Sequence, residues 1–205
     1  MLAIINCSIG NVSSVANAFK KLGEETIISN DEKVLLEADY VVFPGVGSFK
    51  CMQNIRDNNL DKVIKKIVDK GTPFLGICLG FQVLFDESHE FGLSEGLGIL
   101  SGSVLPFQEK LKDCAEHLKI PQIGWNSIKI QKESKLFKDI PDESYFYFVH
   151  SYYVEPQNPA IILSKTDYGF EYCSAVEVEN VVAVQFHPEK SQKIGLQFLK
   201  NFLTK

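Results

Sequence analysis

The sequence predicts an α/β fold, with a mostly parallel central sheet flanked by helices and additional antiparallel strands in the C-terminal half. Short apolar segments alternate with amphipathic helical patterns in the first half, which is typical of βαβ units and a parallel sheet. Strand-like segments follow one another in the second half, which favours antiparallel pairing. A length of 205 residues suits one domain with a substantial core, so we expect a single domain over residues 1–205.

The N-terminal half alternates predicted strands with predicted helices. Four apolar segments are predicted strands: Leu2–Ile5, Thr26–Ile28, Tyr40–Phe43 and Phe74–Ile77. Apolar side chains recur at helical spacing in three segments between them: Val12–Phe19, Val34–Ala38 and Leu60–Val68.

The C-terminal half changes character after a glycine-punctuated, turn-rich passage. Six segments there are predicted strands: Val104–Phe107, Trp125–Ile130, Tyr145–Val149, Ala160–Leu163, Tyr172–Val178 and Val181–Phe186. We expect them to be appended to the parallel sheet as antiparallel strands. Residues 108–120 are the most polar stretch and are predicted to be an exposed loop. A final helix is predicted over Ser191–Leu203, with Ser191 as its N-cap.

Charge and cysteine content exclude several classes of function. The formal net charge is −5 and the lysines are scattered, so there is no electrostatic case for binding nucleic acid or an anionic membrane. No apolar run approaches the length of a membrane span, and no basic signal-peptide start is present. The five cysteines are widely spaced, without a zinc-binding pattern. We therefore expect a cytoplasmic protein with free thiols, no metal and no cofactor.

The chemistry is predicted to centre on Cys78, within Gly76-Ile77-Cys78-Leu79-Gly80. An apolar strand ends there and a helical pattern follows, which is the layout of a nucleophile elbow. The helix dipole and free backbone N–H groups favour a thiolate at a helix start. The loop Pro44–Phe49 ends at the same edge of the sheet, where α/β proteins bind ligands. Considered alone, Cys78 also fits a buried structural cysteine, the commoner role of a free thiol.

Two residues near the end of the chain fit the partners that a nucleophilic cysteine needs. His187 follows the apolar segment Val181–Phe186, and Pro188 makes its position stiff. In an extended chain Glu189 points the same way as His187, so its carboxylate can orient the imidazole toward Cys78. The three side chains then fill the nucleophile, base and orienting roles. The alternative is a surface glutamate beside a structural histidine.

Four motifs, in the same order, resemble those of the class I (triad-type) glutamine amidotransferases: Pro44–Phe49, Gly76–Gln82, Phe148–Tyr153 and Gln185–Ser191. Pro-Gly-Val-Gly at residues 44–47, where most relatives have Pro-Gly-Gly, and the segment Pro121–Asn126 make the chain most similar to glutaminase subunits of imidazole glycerol phosphate synthases. The resemblance covers nearly the whole chain and implies the flavodoxin-like fold of this family.

The resemblance implies that the protein hydrolyses glutamine to glutamate and ammonia. Cys78 is expected to attack the side-chain amide, with His187 as the proton carrier and Glu189 holding His187. Backbone N–H groups of Leu79 and of Val46 or Gly47 are expected to bind the oxyanion. The positions matching the glutamine pocket are Gly45, Gln82, Ser151 and Tyr152. The ordinary alternatives are a helix-surface role for Gln82 and a core role for Tyr152.

The resemblance also implies a partner, because free ammonia is protonated at neutral pH and is then no nucleophile. That partner is a (β/α)8-barrel cyclase subunit, in a heterodimer that forms imidazole glycerol phosphate and aminoimidazole carboxamide ribotide in histidine biosynthesis. The matched positions that face the partner are Asn11, Trp125, Tyr147 and Lys190. The alternative for Lys190 is a solvated charge.

Three departures from the family pattern leave the ammonia acceptor open. The first loop, Asn6–Asn11, keeps only the final Gly-Asn of the usual Asp-Tyr-Gly-x-Gly-Asn. Phe81 stands where Met is usual, and Gln122-Ile123 where His-Met is usual. One alternative is therefore a paralogous glutaminase that supplies ammonia to a surface-sugar pathway. A second is a non-catalytic regulatory subunit, against which the intact Cys78, His187 and Glu189 argue.

Overall fold

Parallel strands form the first part of the central sheet. The computed structural model describes residues 1–6, 11–112, 114 and 118–204. Four strands run parallel in the order β2-β1-β3-β4: β1 (Leu2–Ile5), β2 (Thr26–Ser29), β3 (Tyr40–Gly45) and β4 (Phe74–Cys78). Every residue of β1 and β4 is buried, as expected for strands that helices cover on both faces. The predicted parallel part of the sheet is confirmed.

Helices cover both faces of these strands. One face carries three helices: α2 (Glu32–Leu36), α3 (Cys51–Asp57) and α4 (Leu60–Asp69). The sequence prediction lacks α3, whose buried residues are fewer than those of the longer helices. The opposite face carries the first and last helices: α1 (Val12–Lys21) and α7 (Gln192–Phe202). Each set of helices buries its apolar residues in its own hydrophobic core, so the sheet separates two cores.

Strands that pair mostly antiparallel extend the sheet beyond β14 (Val181–Val184), which is the junction between the two parts. β14 pairs parallel with β4 and antiparallel with β13 (Glu171–Val178). Val181–Phe186 is thus not simply an appended antiparallel strand, and it ends at Val184. In the described residues twelve strands join this sheet, the others being β5 (Phe85–Ser88), β6 (Ser94–Glu95), β7 (Leu100–Pro106), β9 (Lys129–Ile130), β11 (Tyr152–Pro156) and β12 (Ile162–Asp167).

Two predicted strands lie outside the central sheet. β8 (Gln122–Ser127) and β10 (Tyr145–His150) pair antiparallel with each other as a separate two-stranded sheet. Phe146 and Phe148 of β10 point into the core that α1 and α7 also cover. Tyr145, on the opposite face of the strand, is exposed. One covered face and one open face are consistent with an antiparallel pair at the surface. The expectation that all the later strands join the central sheet is therefore wrong for these two.

Several element boundaries differ from the sequence prediction. Phe107 begins a short helix, α6 (Phe107–Leu111), so the predicted loop 108–120 starts as helix, and its residues 113 and 115–117 lie outside the described residues. A 3-10 turn, Pro159–Ile161, precedes β12 where a strand is predicted. A second such turn is Lys135–Phe137. No helix in the described part of the chain has the length and apolar character needed to cross a membrane.

The turn at Cys78 depends on very close backbone packing. α5 (Leu79–Gln82) begins directly after β4, and Cys78 has a φ of +56°. Non-glycine residues rarely adopt a positive φ, so surrounding contacts must hold it. A Cβ on Gly80 would lie 1.9 Å from the carbonyl oxygen of Phe43 in β3. The glycine at position 80 therefore lets β3 approach α5 and hold the turn.

Gly80→Ala is expected to destabilise the protein by about 3 kcal/mol, the upper range for overpacking, because the Phe43 carbonyl oxygen cannot move without disturbing β3. Gly23→Ala is the matched control. Gly23 has a φ of +85° but open space around its Cβ position, so only backbone strain of about 1 kcal/mol is expected. Urea unfolding of both variants measures the difference, and equal losses would contradict the packing argument.

Candidate active site

A cavity of about 250 Å³ opens at the carboxyl ends of β3 and β4. Gly45, the last residue of β3, pairs with Cys78, the last residue of β4, so the loop after β3 and the turn after β4 lie at the same height. The cavity is lined by Val46, Gly47, Cys78, Leu79, Gln82, Glu90, Pro121, Val149, His150, Ser151 and Tyr152. This is the edge at which open α/β sheets bind ligands.

Cys78 presents its sulfur between a hydrogen-bond donor and an acceptor. The amide Nε2 of Gln185 lies 3.6 Å from Sγ and donates to it. The thiol in turn points at the carbonyl oxygen of Val149, 3.9 Å away. Cys78 is buried except for its exposure to the cavity, so a molecule in the cavity meets the sulfur directly.

His187 and Glu189 form a buried pair. His187 Nδ1 lies 2.7 Å from Glu189 Oε1, and both side chains are 1% exposed. The pairing comes from a 3-10 turn, Pro188–Lys190, and not from the extended chain that the sequence analysis assumes. Ser191 stands at the N-cap position of α7, as predicted, but its side chain makes no capping bond: its hydroxyl donates to the carbonyl oxygen of His187 and accepts from the backbone N–H of Tyr147.

Neighbouring side chains determine the pKa of His187. Burial lowers the pKa of His187, but Cys78 and then Glu189 outweigh burial and raise the pKa to about 10. His187 Nε2 and Glu189 Oε2 have no hydrogen-bond partner among the described residues. Among the causes that raise this pKa Cys78 comes first, so the two side chains are near neighbours, as a nucleophilic cysteine and its base need to be.

The raised pKa of His187 also contributes to the stability of the fold in a defined pH window. The pKa of His187 is higher in the folded chain than its usual value of 6.5. The stabilisation is therefore complete below about pH 6.5 and is lost as the pH rises through about 10.

The pKa of His150, which lines the cavity, is shifted in the direction opposite to that of His187. Burial lowers the pKa of His150 to about 4, so this imidazole is neutral. Its Nδ1 lies 2.7 Å from the carbonyl oxygen of Tyr152, and its Nε2 lies 3.2 Å from the hydroxyl of Tyr172. Tyr172 donates to Gln122 Oε1 at 2.9 Å. His150 therefore ties the cavity wall to β8 and β13.

Comparison with known proteins decides the family. The class-I glutamine amidotransferase family model matches residues 3–205. The chain belongs to this family. Relatives named "Imidazole glycerol phosphate synthase subunit HisH" include proteins of Geobacter metallireducens, 45% identical over 202 residues, covering 98% of this chain and 96% of the relative. The Aquifex aeolicus protein of the same name is 47% identical over 206 residues, covering 98% and 95%. The predicted family resemblance is confirmed.

Solved structures with low sequence identity share the fold of this amidotransferase. A structure described as "Crystal structure of glutamine amidotransferase" has a TM-score of 0.75 at 17% identity, covering 99% of this chain and 97% of that one. The "Structure of PurLQS from Thermotoga maritima" has a TM-score of 0.73 at 17% identity, with the same coverage. The predicted fold class, an α/β sheet with added antiparallel strands, is confirmed.

Most of the sequence-predicted site residues of this amidotransferase line the cavity. These are Cys78, Val46, Gly47, Leu79, Gln82, Ser151 and Tyr152. His187, Glu189 and Gly45 are not among the lining residues: the first two are buried behind the cavity wall, and a Cβ at Gly45 would lie 2.8 Å from the Leu79 Cβ and 2.9 Å from the Gly80 nitrogen. Gly45 thus allows β3 to pack against the turn, and its position supports the cavity without lining it.

The sequence prediction lacks three side chains of the site. Glu90 is the one carboxylate among the described lining residues, and one of its oxygens accepts from the backbone N–H of Phe49 at 2.7 Å. Burial raises the pKa of Glu90. Glu90 lies in a polar turn that carries no sequence signal. His150 and Gln185 lie inside motifs that resemble the family, but the sequence assigns them no role.

Three of the four predicted interface residues form a surface cluster. The rings of Trp125 and Tyr147 meet edge to face with centroids 6.2 Å apart, and Lys190 Nζ lies 5.6 Å above the Tyr147 ring. Trp125 is 45% exposed. Asn11 precedes α1, where its side chain accepts from the Ser14 hydroxyl, and the remainder of the first loop, residues 7–10, lies outside the described residues.

Cys78→Ala and Glu189→Gln are both expected to lower the pKa of His187, each by about 1 unit or more. Cys78→Ala should have the larger effect, because Cys78 raises this pKa more than Glu189 does. NMR titration of histidine-labelled protein measures the shift.

Glu87→Gln is the control, since Glu87 lies 3.4 Å from the exposed His89 and away from His187. The same titration midpoint of His187 in all the variants would contradict the ion-pair assignment.

Proposed function

We propose that this chain is the glutaminase subunit of an imidazole glycerol phosphate synthase, with Cys78, His187 and Glu189 as its catalytic triad. The observation that carries the proposal is the cysteine on a strained turn inside the cavity, together with a buried His187–Glu189 pair whose histidine responds to that cysteine. The curated relatives, which the chain covers over nearly their whole length, supply the synthase assignment.

The triad accounts for both halves of glutamine hydrolysis. The Cys78 thiolate attacks the side-chain carbonyl carbon of glutamine, and the carbonyl π electrons move to the oxygen. The imidazolium of His187 gives its proton to the amide nitrogen, which leaves as ammonia, and a γ-glutamyl thioester remains. Neutral His187 then takes a proton from water, whose oxygen attacks the thioester. The intermediate expels the Cys78 thiolate and releases glutamate, whose carboxyl proton goes to water. His187 keeps the proton it took, so that the thiolate–imidazolium pair is restored.

The cavity walls match the shape and charge of glutamine. The Glu90 carboxylate is the complement of the α-ammonium group of the substrate. Gln82 uses its amide nitrogen for Gln185 and Tyr152, so its carbonyl oxygen remains to accept a hydrogen bond from the substrate. The backbone N–H of Leu79 and one N–H from Val46 or Gly47 receive the oxyanion. Losing one such donor costs about 3 kcal/mol of barrier.

The surface cluster of Trp125, Tyr147 and Lys190 is the proposed contact for a (β/α)8-barrel cyclase subunit. Ile123 and Tyr145 lie on the same face of β8 and β10, and they are 62% and 60% exposed. Large apolar side chains exposed together are typical of protein interfaces. A cyclase docked there receives ammonia before it is protonated. We place the complex in the cytoplasm, which suits the free thiols Cys51, Cys78, Cys114 and Cys173.

The alternative acceptor, a surface sugar, rests on the departures from the family pattern. Phe81 is buried and packs edge to face on Phe85, so it fills the core and does not bear on the acceptor. The side chain of Gln122 is buried beside Tyr172, whereas Ile123 lies on the exposed face. Among the departures in the described residues, Ile123 is thus the one exposed to a partner, whereas residues 7–10 of the first loop lie outside the described residues. Product analysis with the co-purified barrel protein separates an imidazole product from an aminated sugar.

Cys78→Ala is expected to reduce glutaminase activity of the complex by at least about a thousandfold, because the nucleophile is lost. Labelling by a diazo-ketone analogue of glutamine should disappear with it, as mass spectrometry can show. Cys114→Ala is the control, since Cys114 lies outside the cavity and should keep both. Labelling that persists on another residue of Cys78→Ala would refute the triad.

Trp125→Ala is expected to weaken binding of the co-purified barrel protein about thirtyfold, the usual effect of removing a central tryptophan from an interface. Ile28→Ala truncates a residue that is also 45% exposed, but on β2 at the far edge of the sheet. Titration calorimetry compares the two, and equal affinities would place the partner elsewhere.

A further inference from the structure

One buried glutamine joins the nucleophile to the wall of the substrate cavity. Gln185 directly follows the apolar strand β14 and, although its side chain is polar, it has no exposed surface. Its Nε2 donates to Cys78 Sγ at 3.6 Å, and its Oε1 accepts from Gln82 Nε2 at 2.9 Å. A buried amide is costly unless its groups are bonded, and here both partners belong to the active site.

The contacts fix which way the amide of Gln185 points. Gln82 Nε2 donates both to Gln185 and to the carbonyl oxygen of Tyr152, 3.2 Å away. If Gln185 were flipped, its NH₂ group would face the NH₂ group of Gln82, and its oxygen would face the sulfur. The backbone N–H of Gln185 donates to the carbonyl oxygen of Ser174 at 2.8 Å, which holds the residue against β13. The donor therefore stays on the sulfur.

We propose that Gln185 holds and activates Cys78: its N–H stabilises negative charge on the sulfur, while its carbonyl oxygen sets the position of Gln82. A hydrogen bond to a charged acceptor is stronger than one to a neutral acceptor, so the contact favours the thiolate over the thiol. One buried side chain thus aligns the attacking atom with the residue that reads the substrate amide. The inference rests on the proposed function, because it takes Cys78 as the nucleophile.

Two substitutions separate the two contacts. Gln185→Glu keeps an oxygen for Gln82 but puts a carboxylate, the stronger acid, beside the sulfur, which disfavours a thiolate there. Gln185→Met has similar length and neither donor nor acceptor, so it removes both contacts. Both should slow alkylation of Cys78 by iodoacetamide at least about tenfold at neutral pH. In the complex, Gln185→Glu should lower kcat with little change in KM for glutamine, whereas Gln185→Met should also raise KM.

Alkylation is followed for each cysteine by mass spectrometry of the folded chain, so Cys114 serves as the internal reference. Asn201→Leu is the matched control, because Asn201 is another buried amide, bonded to the carbonyl oxygens of Leu136 and Lys138. It should lower the melting temperature and leave Cys78 alkylation unchanged.

An unchanged Cys78-to-Cys114 ratio in either folded Gln185 variant overturns the proposal, as does equal slowing in Asn201→Leu. If Gln185→Met does not fold, Gln185→Glu alone decides. Active Cys78→Ala would instead refute the proposed function, so the two failures are distinguishable.

Discussion

The site depends on the contact between β3 and the turn that follows β4. A positive φ at Cys78 is unfavourable, and the turn keeps it only because Gly80 lets the Phe43 carbonyl oxygen approach so closely. The same contact brings Gly45 level with Cys78, so the loop after β3 faces the sulfur. The cavity and its candidate oxyanion donors are consequences of this register. A shift of β3 along β4 would separate them without altering any side chain of the site.

Environment separates the two histidines of the site. His187 has neighbours, Cys78 and Glu189, that raise its pKa to about 10, whereas burial, with a smaller contribution from His187, lowers the pKa of His150 to about 4. A buried charge is stable only with partners, so a protonated His187 depends on Cys78 and Glu189 beside it. His150 meets a carbonyl and a hydroxyl instead, neither of which carries a charge. The first arrangement suits the proposed proton transfer, and the second holds the cavity wall in place.

Local patterns allowed the parallel strands, the turn at Cys78 and the His187–Glu189 pair to be predicted from the sequence. The details that depend on tertiary contacts were not predictable in the same way. Periodicity identifies β8 and β10 as strands, but their partner is decided by which face the core covers. Glu90 accepts a hydrogen bond from the backbone N–H of Phe49, in a loop far away in sequence, so no local spacing in the sequence predicts its place in the site. Gln185 was also missed, but it differs from Glu90: a glutamine directly after an apolar strand is a local signal of a buried polar contact, from which it could have been predicted.

The strand β10 links the proposed partner surface to the proposed triad. Side chains alternate along a strand, so Tyr147 faces outward beside Trp125 while its neighbour Phe148 is buried. The backbone of Tyr147 is hydrogen-bonded to the two residues that flank the turn Pro188–Lys190. Its N–H donates to Ser191 Oγ, and its carbonyl oxygen accepts from the N–H of His187 at 2.8 Å. A few residues further on, Val149 to Ser151 line the cavity. Force applied to the Tyr147 ring by a partner therefore reaches the His187 backbone through two hydrogen bonds, which gives the proposed cyclase a direct mechanical route to the proposed catalytic base.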